Sequence, residues 1–211
     1  MVIIGVCGFQ GSGKDTIGNY LVSKYNFTRL SFASSVKDVA SSLFGWDRTM
    51  LEGLTEEARA QRDMVDEWWA DAFGIKGFTP RFVMQKIGTE IFRENLHPDI
   101  WLKIVEKKII DMSKNQSNPN IVITDCRFPN EFAMIKKHGG IIINVHKDLP
   151  EWFNDLKLGR IEQEELSKLN INLHLSEISW IKEEFDFTLD NTGSFAELEN
   201  KIDLVIEKVS I

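Results

Sequence analysis

Short apolar runs alternate with longer amphipathic stretches along this chain, and that rhythm predicts its architecture. Val2 to Cys7 is apolar, rich in β-branched residues and bounded by glycine, so it reads as a buried parallel strand. Gly8 to Gly13 is a glycine-rich turn, and Lys14 to Tyr25 carries Ile17, Tyr20, Leu21 and Val22 at helical spacing. Phe27 to Phe32 predicts a second strand and Ser34 to Phe44 a helix. Glu56 to Phe73 reads as polar and helical, with Trp68 and Trp69 near its end. Pro80 suits the first turn of a helix running to Asn95, and Pro98 opens the next. That one places Trp101, Leu102, Ile104, Val105, Ile109 and Met112 on a core-facing stripe.

After a loop at Asn115 to Asn120, Ile121 to Thr124 forms a third strand, ending at Asp125. Pro129 to His138 is a helix stopped by Gly139 and Gly140, and Ile141 to Val145 is a fourth strand. Asp148 to Ser176 is polar and irregular or partly helical. Glu177 to Glu184 reads as a short helix and Phe185 to Leu189 as a fifth strand. Ser194 is the N-cap of a last helix to Val209. Five strands separated by helices predict a mainly parallel sheet covered on both faces. Ligands in such sheets gather at the carboxyl ends of the strands, so Gly8, Asp125 and the neighbourhood of His146 are expected to converge.

Composition changes this picture little. The 211 residues are 43% hydrophobic and 27% charged, with no repeat or low-complexity tract. The formal net charge of −7 speaks against a nucleic-acid or anionic-membrane partner. Cys7 and Cys126 sit in or beside strand-like runs and read as buried thiols of a reducing compartment. With no basic leader and no ~20-residue apolar span, a cytoplasmic protein is expected.

The chemistry begins at Gly8-Phe9-Gln10-Gly11-Ser12-Gly13-Lys14, which fits G-x-x-x-x-G-K between a strand and a helix. Glycines there let backbone N–H groups approach phosphate oxygens, and the helix N-terminus adds positive potential. Lys14 reaches the β- and γ-phosphates of a bound nucleotide. Gly11, Ser12, Gly13, Lys14, Asp15 and Thr16 are therefore candidate ATP contacts. Asp15 stands where Ser or Thr is usual, so either it meets Mg²⁺ through water or Thr16 bonds the α-phosphate. Asp125 and Arg127 follow the third strand: a carboxylate for a magnesium-bound water and a guanidinium for the transferring oxygens, or a surface ion pair of Arg127 with Glu131.

Arg81, Gln85 and Thr89 share a helix face suited to an acceptor phosphate and a base edge. Lys37 is a further candidate for that phosphate, and Trp101 is either core or a stacking platform. His174 to Glu177 reads as a lid element or capping box rather than a metal site. Asn191-Thr192-Gly193 is either a plain turn or a contact to adenine.

Taken in order, several motifs accompany the phosphate loop. They are S-F-A-x-x-x-K at Ser31 to Lys37, R-x-x-M-Q-x-x-G-T-E at Arg81 to Glu90, W-x-K at Trp101 to Lys103, D-x-R-x-x-x-E at Asp125 to Glu131, H-x-S-E at His174 to Glu177 and N-x-G-S at Asn191 to Ser194. The set resembles the bacteriophage-type deoxynucleoside monophosphate kinases over nearly the whole chain. The resemblance implies a P-loop three-layer α/β/α sandwich with a five-stranded parallel sheet in one domain, 1–211. A helical acceptor-binding insert is expected at about 45–115 and a lid-like insert at about 148–176. It implies transfer of the γ-phosphate of ATP to a deoxynucleoside monophosphate with Mg²⁺. Carried over by position, Arg81, Gln85, Gly88, Thr89, Lys37, Trp101 and Glu177 serve the acceptor, Arg127 serves transfer, and Asn191 lies on the ATP side. The segment from Leu51 to Thr79 departs in length from the family, which leaves base choice open. Small-molecule nucleotides are the expected partners, with a homodimer left open. The competing readings are a kinase of the dephospho-coenzyme A type and a non-catalytic nucleotide-binding module. A nucleic-acid-dependent NTPase is disfavoured by size and acidity.

Overall fold

The computed structural model describes residues 1–115, 119–162, 165–166 and 177–209. Its chain divides into two units: Met1–Ser31 with Lys108–Ile211, and Phe32–Lys107.

The first unit is built on five parallel strands: β1 (Ile3–Cys7), β2 (Thr28–Leu30), β3 (Ile121–Ile123), β4 (Ile141–His146) and β5 (Phe187–Asp190). Their spatial order is β2-β3-β1-β4-β5. β1 is central, with Ile4 beside Val122 on one flank and Ile141 on the other. The order in which strands are added therefore switches sides at β1, which is where open parallel sheets bind ligands.

Alternation along the strands sorts their side chains between two faces. Ile4, Val6, Val122, Ile143 and Val145 pack with Ile17 and Leu21 of α1 (Lys14–Tyr25) and Leu198, Ile202, Val205 and Ile206 of α10 (Phe195–Val209). On the other face Gly5 leaves room for Ile135 of α8 (Pro129–Lys137), for Ile142 and for Cys126. Ser194 caps α10 as expected: its Oγ accepts from Glu197 N, and Glu197 Oε2 accepts from Ser194 N.

The second unit is helical. It holds α2 (Ser34–Phe44), α3 (Arg48–Glu52), α4 (Glu56–Asp63), α5 (Glu67–Phe73), α6 (Pro80–Lys86) and a π-helix (Ile87–Glu94), and it ends inside α7 (Ile100–Asn115). Side-chain caps start its short helices: Asp47 accepts from Met50 N, Thr55 from Ala58 N, Asp66 from Trp69 N and Thr79 from Phe82 N. Its core gathers Val36, Ala40, Leu51, Phe78, Val83, Ile87 and Trp101.

Three expectations change. The single helix over Glu56 to Phe73 is two helices, because Asp66 turns inward to cap α5 and to accept from the Trp46 indole at 2.8 Å. The helix from Pro80 widens from α to π at Ile87. Glu177 to Glu184 is a run of turns, and the fifth strand starts later, at Phe187. The lid-like segment contributes a short helix, α9 (Trp152–Lys157), whereas His174 and Ser176 lie outside the described residues.

Candidate active site

Behind β1 the chain turns through Gly8, Gly11 and Gly13 at φ values of 147°, 79° and 110°. Two of these positions exclude a side chain outright. A Cβ on Gly8 would lie 2.1 Å from the Val145 carbonyl oxygen, and one on Gly13 would lie 2.4 Å from Asn191 Nδ2. Around Gly11 there is open space and the residue is exposed. No side chain caps the start of α1, so its first-turn N–H groups face the loop without a protein oxygen from a capping residue. Ser12 Oγ is buried and has no hydrogen-bond partner. An anion held by backbone amides fits this arrangement.

Lys14 Nζ lies inside the loop and donates to the carbonyls of Gly8 (2.9 Å) and Phe9 (2.6 Å). Burial holds this ammonium below the ordinary lysine range, and the nearby Arg127 guanidinium lowers it further. The carboxylates of Glu177 and Asp15 pull partly the other way. Arg127 and Glu177 thus both act on the charge of Lys14, although they lie 113 and 163 positions away along the chain.

Beyond β3, Asp125 Oδ2 accepts from Ser31 Oγ at 2.8 Å. Arg127 Nη1 donates to Glu177 Oε1 at 2.6 Å, so the expected acceptor residue Glu177 holds the expected transfer residue. Glu131 accepts from the backbone N–H groups of Arg127 and Phe128 at the head of α8.

Asp15 lies in an ion pair. Its carboxylate pairs with Arg29, which also donates to Asn19 and to Thr124 Oγ1. Sequence reading gave Arg29 no role, since a lone arginine on an edge strand carries no motif. Among the described residues no group of three or more His, Cys, Asp or Glu could hold a metal ion. The Asp125 carboxylate and the Thr16 hydroxyl are oxygen donors of the kind Mg²⁺ takes.

Asn191 reaches the loop by its side chain. Nδ2 donates to the Ser12 carbonyl at 2.9 Å, and its own N–H is held by the His146 carbonyl at 2.9 Å. In a trans peptide the C=O and N–H point oppositely. Drawing the Ser12 C=O toward Asn191 therefore turns the Gly13 N–H the other way.

In the second unit Lys37 pairs with Glu52, which also binds Arg48. Arg81 pairs with Asp63. Gln85 and Thr89 are exposed. Trp101 is corrected as a stacking platform: it is 3% exposed, and its indole N–H donates to the Gly88 carbonyl at 2.8 Å. Its ring is core, and it fixes Gly88 in the π-helix.

Parallel strands in this order, with a glycine-opened phosphate loop between β1 and α1, define the P-loop kinase class. A structure of dephospho-CoA kinase from Campylobacter jejuni shares the fold, with a TM-score of 0.51 and 18% identity over 100% of this chain and 98% of that one. A family model described as deoxynucleotide monophosphate kinase matches residues 54–157. A protein of Acanthamoeba polyphaga mimivirus, provisionally named a deoxynucleotide monophosphate kinase, is 31% identical over 154 residues, spanning 70% of this chain and 75% of that protein. The deoxynucleoside-5′-monophosphate kinase of Escherichia phage T5 is 27% identical over 186 residues, 64% of this chain and 72% of that one. The chain belongs to the deoxynucleotide monophosphate kinase family, and it is a phosphotransferase. No helix among the described residues is long and apolar enough to cross a membrane.

Proposed function

We propose that this protein transfers the γ-phosphate of ATP to the phosphate of a deoxynucleoside monophosphate, giving ADP and the diphosphate. The observation that carries the reading is Lys14, held by two loop carbonyls beneath an uncapped helix start in a chain of this family.

The acceptor is already an oxyanion, so the protein needs no strong base. It must position two anions and offset their charge. An acceptor oxygen attacks the γ-phosphorus in line, and the bond to the bridging oxygen of ADP breaks. Loop N–H groups bind the β-phosphate, and Lys14 exchanges its carbonyl partners for phosphate oxygens. Arg127, kept in place by Glu177, faces the equatorial oxygens of the transferring group. Asp125, held by Ser31, and Thr16 would hold a Mg²⁺ ion. When bound, that ion neutralises charge across the β- and γ-phosphates.

A coupled ADP-release assay across all deoxynucleoside and ribonucleoside monophosphates tests this, with dephospho-coenzyme A as a further arm. Turnover that requires a deoxynucleoside monophosphate supports it. ATP binding without acceptor-dependent ADP release, or turnover with dephospho-coenzyme A alone, overturns it.

A further inference from the structure

An aspartate follows the loop lysine in the first turn of α1, where phosphate-binding loops usually carry a hydroxyl. A carboxylate at that end of a helix suits the positive pole of its dipole. A phosphate bound to the loop draws on the same field and the same N–H groups, so the two anions compete. The charge of Asp15 does reach the loop: it acts on Lys14 in the sense that raises the pKa of its ammonium, against the lowering by burial. An unpaired aspartate at this position would therefore repel the phosphates of a nucleotide.

Arg29 meets that carboxylate from β2, the edge strand. The Nη2 that donates to Asp15 Oδ1 also donates to Thr124 Oγ1 at 2.6 Å. Nε donates to the same hydroxyl at 3.1 Å, and Nη1 to Asn19 Oδ1 at 3.0 Å. All three guanidinium nitrogens are engaged, so the rigid fork has its position set by Thr124 and Asn19 as well as by its counterion. Thr124 is buried behind β3, directly before Asp125. The helix makes room for the arrangement at Gly18, where a Cβ would lie 2.5 Å from Thr124 Cγ2 and 3.6 Å from Arg29 Cζ. Glycine inside a helix is unfavourable, so its presence in α1 answers to this packing. The Asp15 side chain is 68% exposed, and exposed ion pairs add little to stability. The effect of the pair falls on the charge beside the loop.

We propose that Arg29 is a positioning residue of the phosphate loop: by committing the Asp15 carboxylate to an ion pair, it lets a loop with an acid behind its lysine accept a polyphosphate. The proposal rests on the reading of this loop as the ATP site. Arg29 acts through Asp15 and needs no contact with the nucleotide.

The test is ADP binding by calorimetry with EDTA present, apart from turnover, with adenosine as the uncharged control. Arg29→Gln keeps a donor and loses the charge; it is expected to weaken ADP about tenfold and adenosine by no more than about twofold. Asp15→Asn alone should tighten ADP about threefold, since a negative charge is gone and Arg29 is freed. The double variant, Arg29→Gln with Asp15→Asn, should return to within about threefold of wild type, because no carboxylate remains to be neutralised. The gap between wild type and Arg29→Gln should narrow as salt rises from about 0.05 to about 0.5 M. ADP binding unchanged in Arg29→Gln overturns the proposal. A loss that Asp15→Asn does not reverse, or an equal loss for adenosine, makes Arg29 a structural tie between α1 and β3 and overturns it too. Weaker ADP binding in Asp15→Asn alone does the same, by giving the carboxylate a direct part. Should Arg29→Gln fail to fold, Arg29→Lys decides: it keeps the charge and should hold ADP within about threefold of wild type, and a larger loss overturns the proposal. A wild type that binds no ADP sinks both readings. The expected pattern in a protein without acceptor-dependent ADP release supports the role of Arg29 and sinks the kinase reading alone.

Discussion

At the scale of single residues, the loop works by what each group is prevented from doing. Lys14 cannot leave its carbonyls without a better acceptor, and a triphosphate is one. Lys14→Ala is expected to keep the fold and lose about 10²–10³ in turnover, measured by coupled ADP release. Asn191 should act on phosphates alone. Asn191→Asp removes the donor to the Ser12 carbonyl and sets a carboxylate against it, so the peptide loses its orientation. ADP binding should weaken by about tenfold while adenosine binding stays level, with calorimetry as the check. Equal losses for both ligands would return Asn191 to an adenine contact. Cys7 gives a pH-dependent outcome. Burial pushes its thiol up to about 12, and Cys126 rises well above the usual thiol range for the same reason. At pH 8 the Cys7 thiolate is then roughly one part in 10⁴. Both thiols should resist an aromatic disulfide reagent in the native protein and react together once guanidinium unfolds it. Rapid labelling of one native thiol would contradict this burial.

Secondary-structure elements were legible in the sequence wherever one signal dominated. The strand, glycine loop and helix at the start announce themselves, because the fixed Gly8, Gly13 and Lys14 stand between an apolar run and a 3.6-residue period. α1 occupies the predicted Lys14–Tyr25, and α10 begins behind its Ser194 cap. Elements went astray where tertiary contacts decide. The polar period through Met64 to Asp66 continues a helix on paper, yet Asp66 does more by capping α5 and holding Trp46. Asp66→Ala removes both bonds and should cost about 1–2 kcal/mol, read from denaturant unfolding. The π-helix has no sequence period of its own, and the Trp101–Gly88 bond that accompanies it joins residues 13 positions apart.

On the scale of the whole molecule, the last helix completes the core of the first unit. Leu198, Ile202, Val205 and Ile206 are buried in the cluster that contains β1 and α1. A chain ending at Gly193 should therefore lose cooperative unfolding by circular dichroism. The same helix is fastened from outside. Asp203 accepts from the Tyr20 and Tyr25 hydroxyls and from Lys24. The bonds from Lys24 and Tyr25 hold its carboxyl below the usual carboxylate range. A depressed folded value means that this contribution is present above the unfolded pKa and fades as pH falls through the folded one. Asp203→Asn should lower Tm by about 2–4 °C at neutral pH, and by less in acid. A final consequence follows from Phe9, whose ring meets Trp152 and Trp180 at centroid distances of 5.9 and 5.0 Å. Two indoles thus sit against the segment whose carbonyls hold Lys14, which would give the protein a built-in optical gauge of nucleotide. Emission that shifts on adding ADP and stops shifting in Phe9→Leu would let occupancy be followed in real time without any dye.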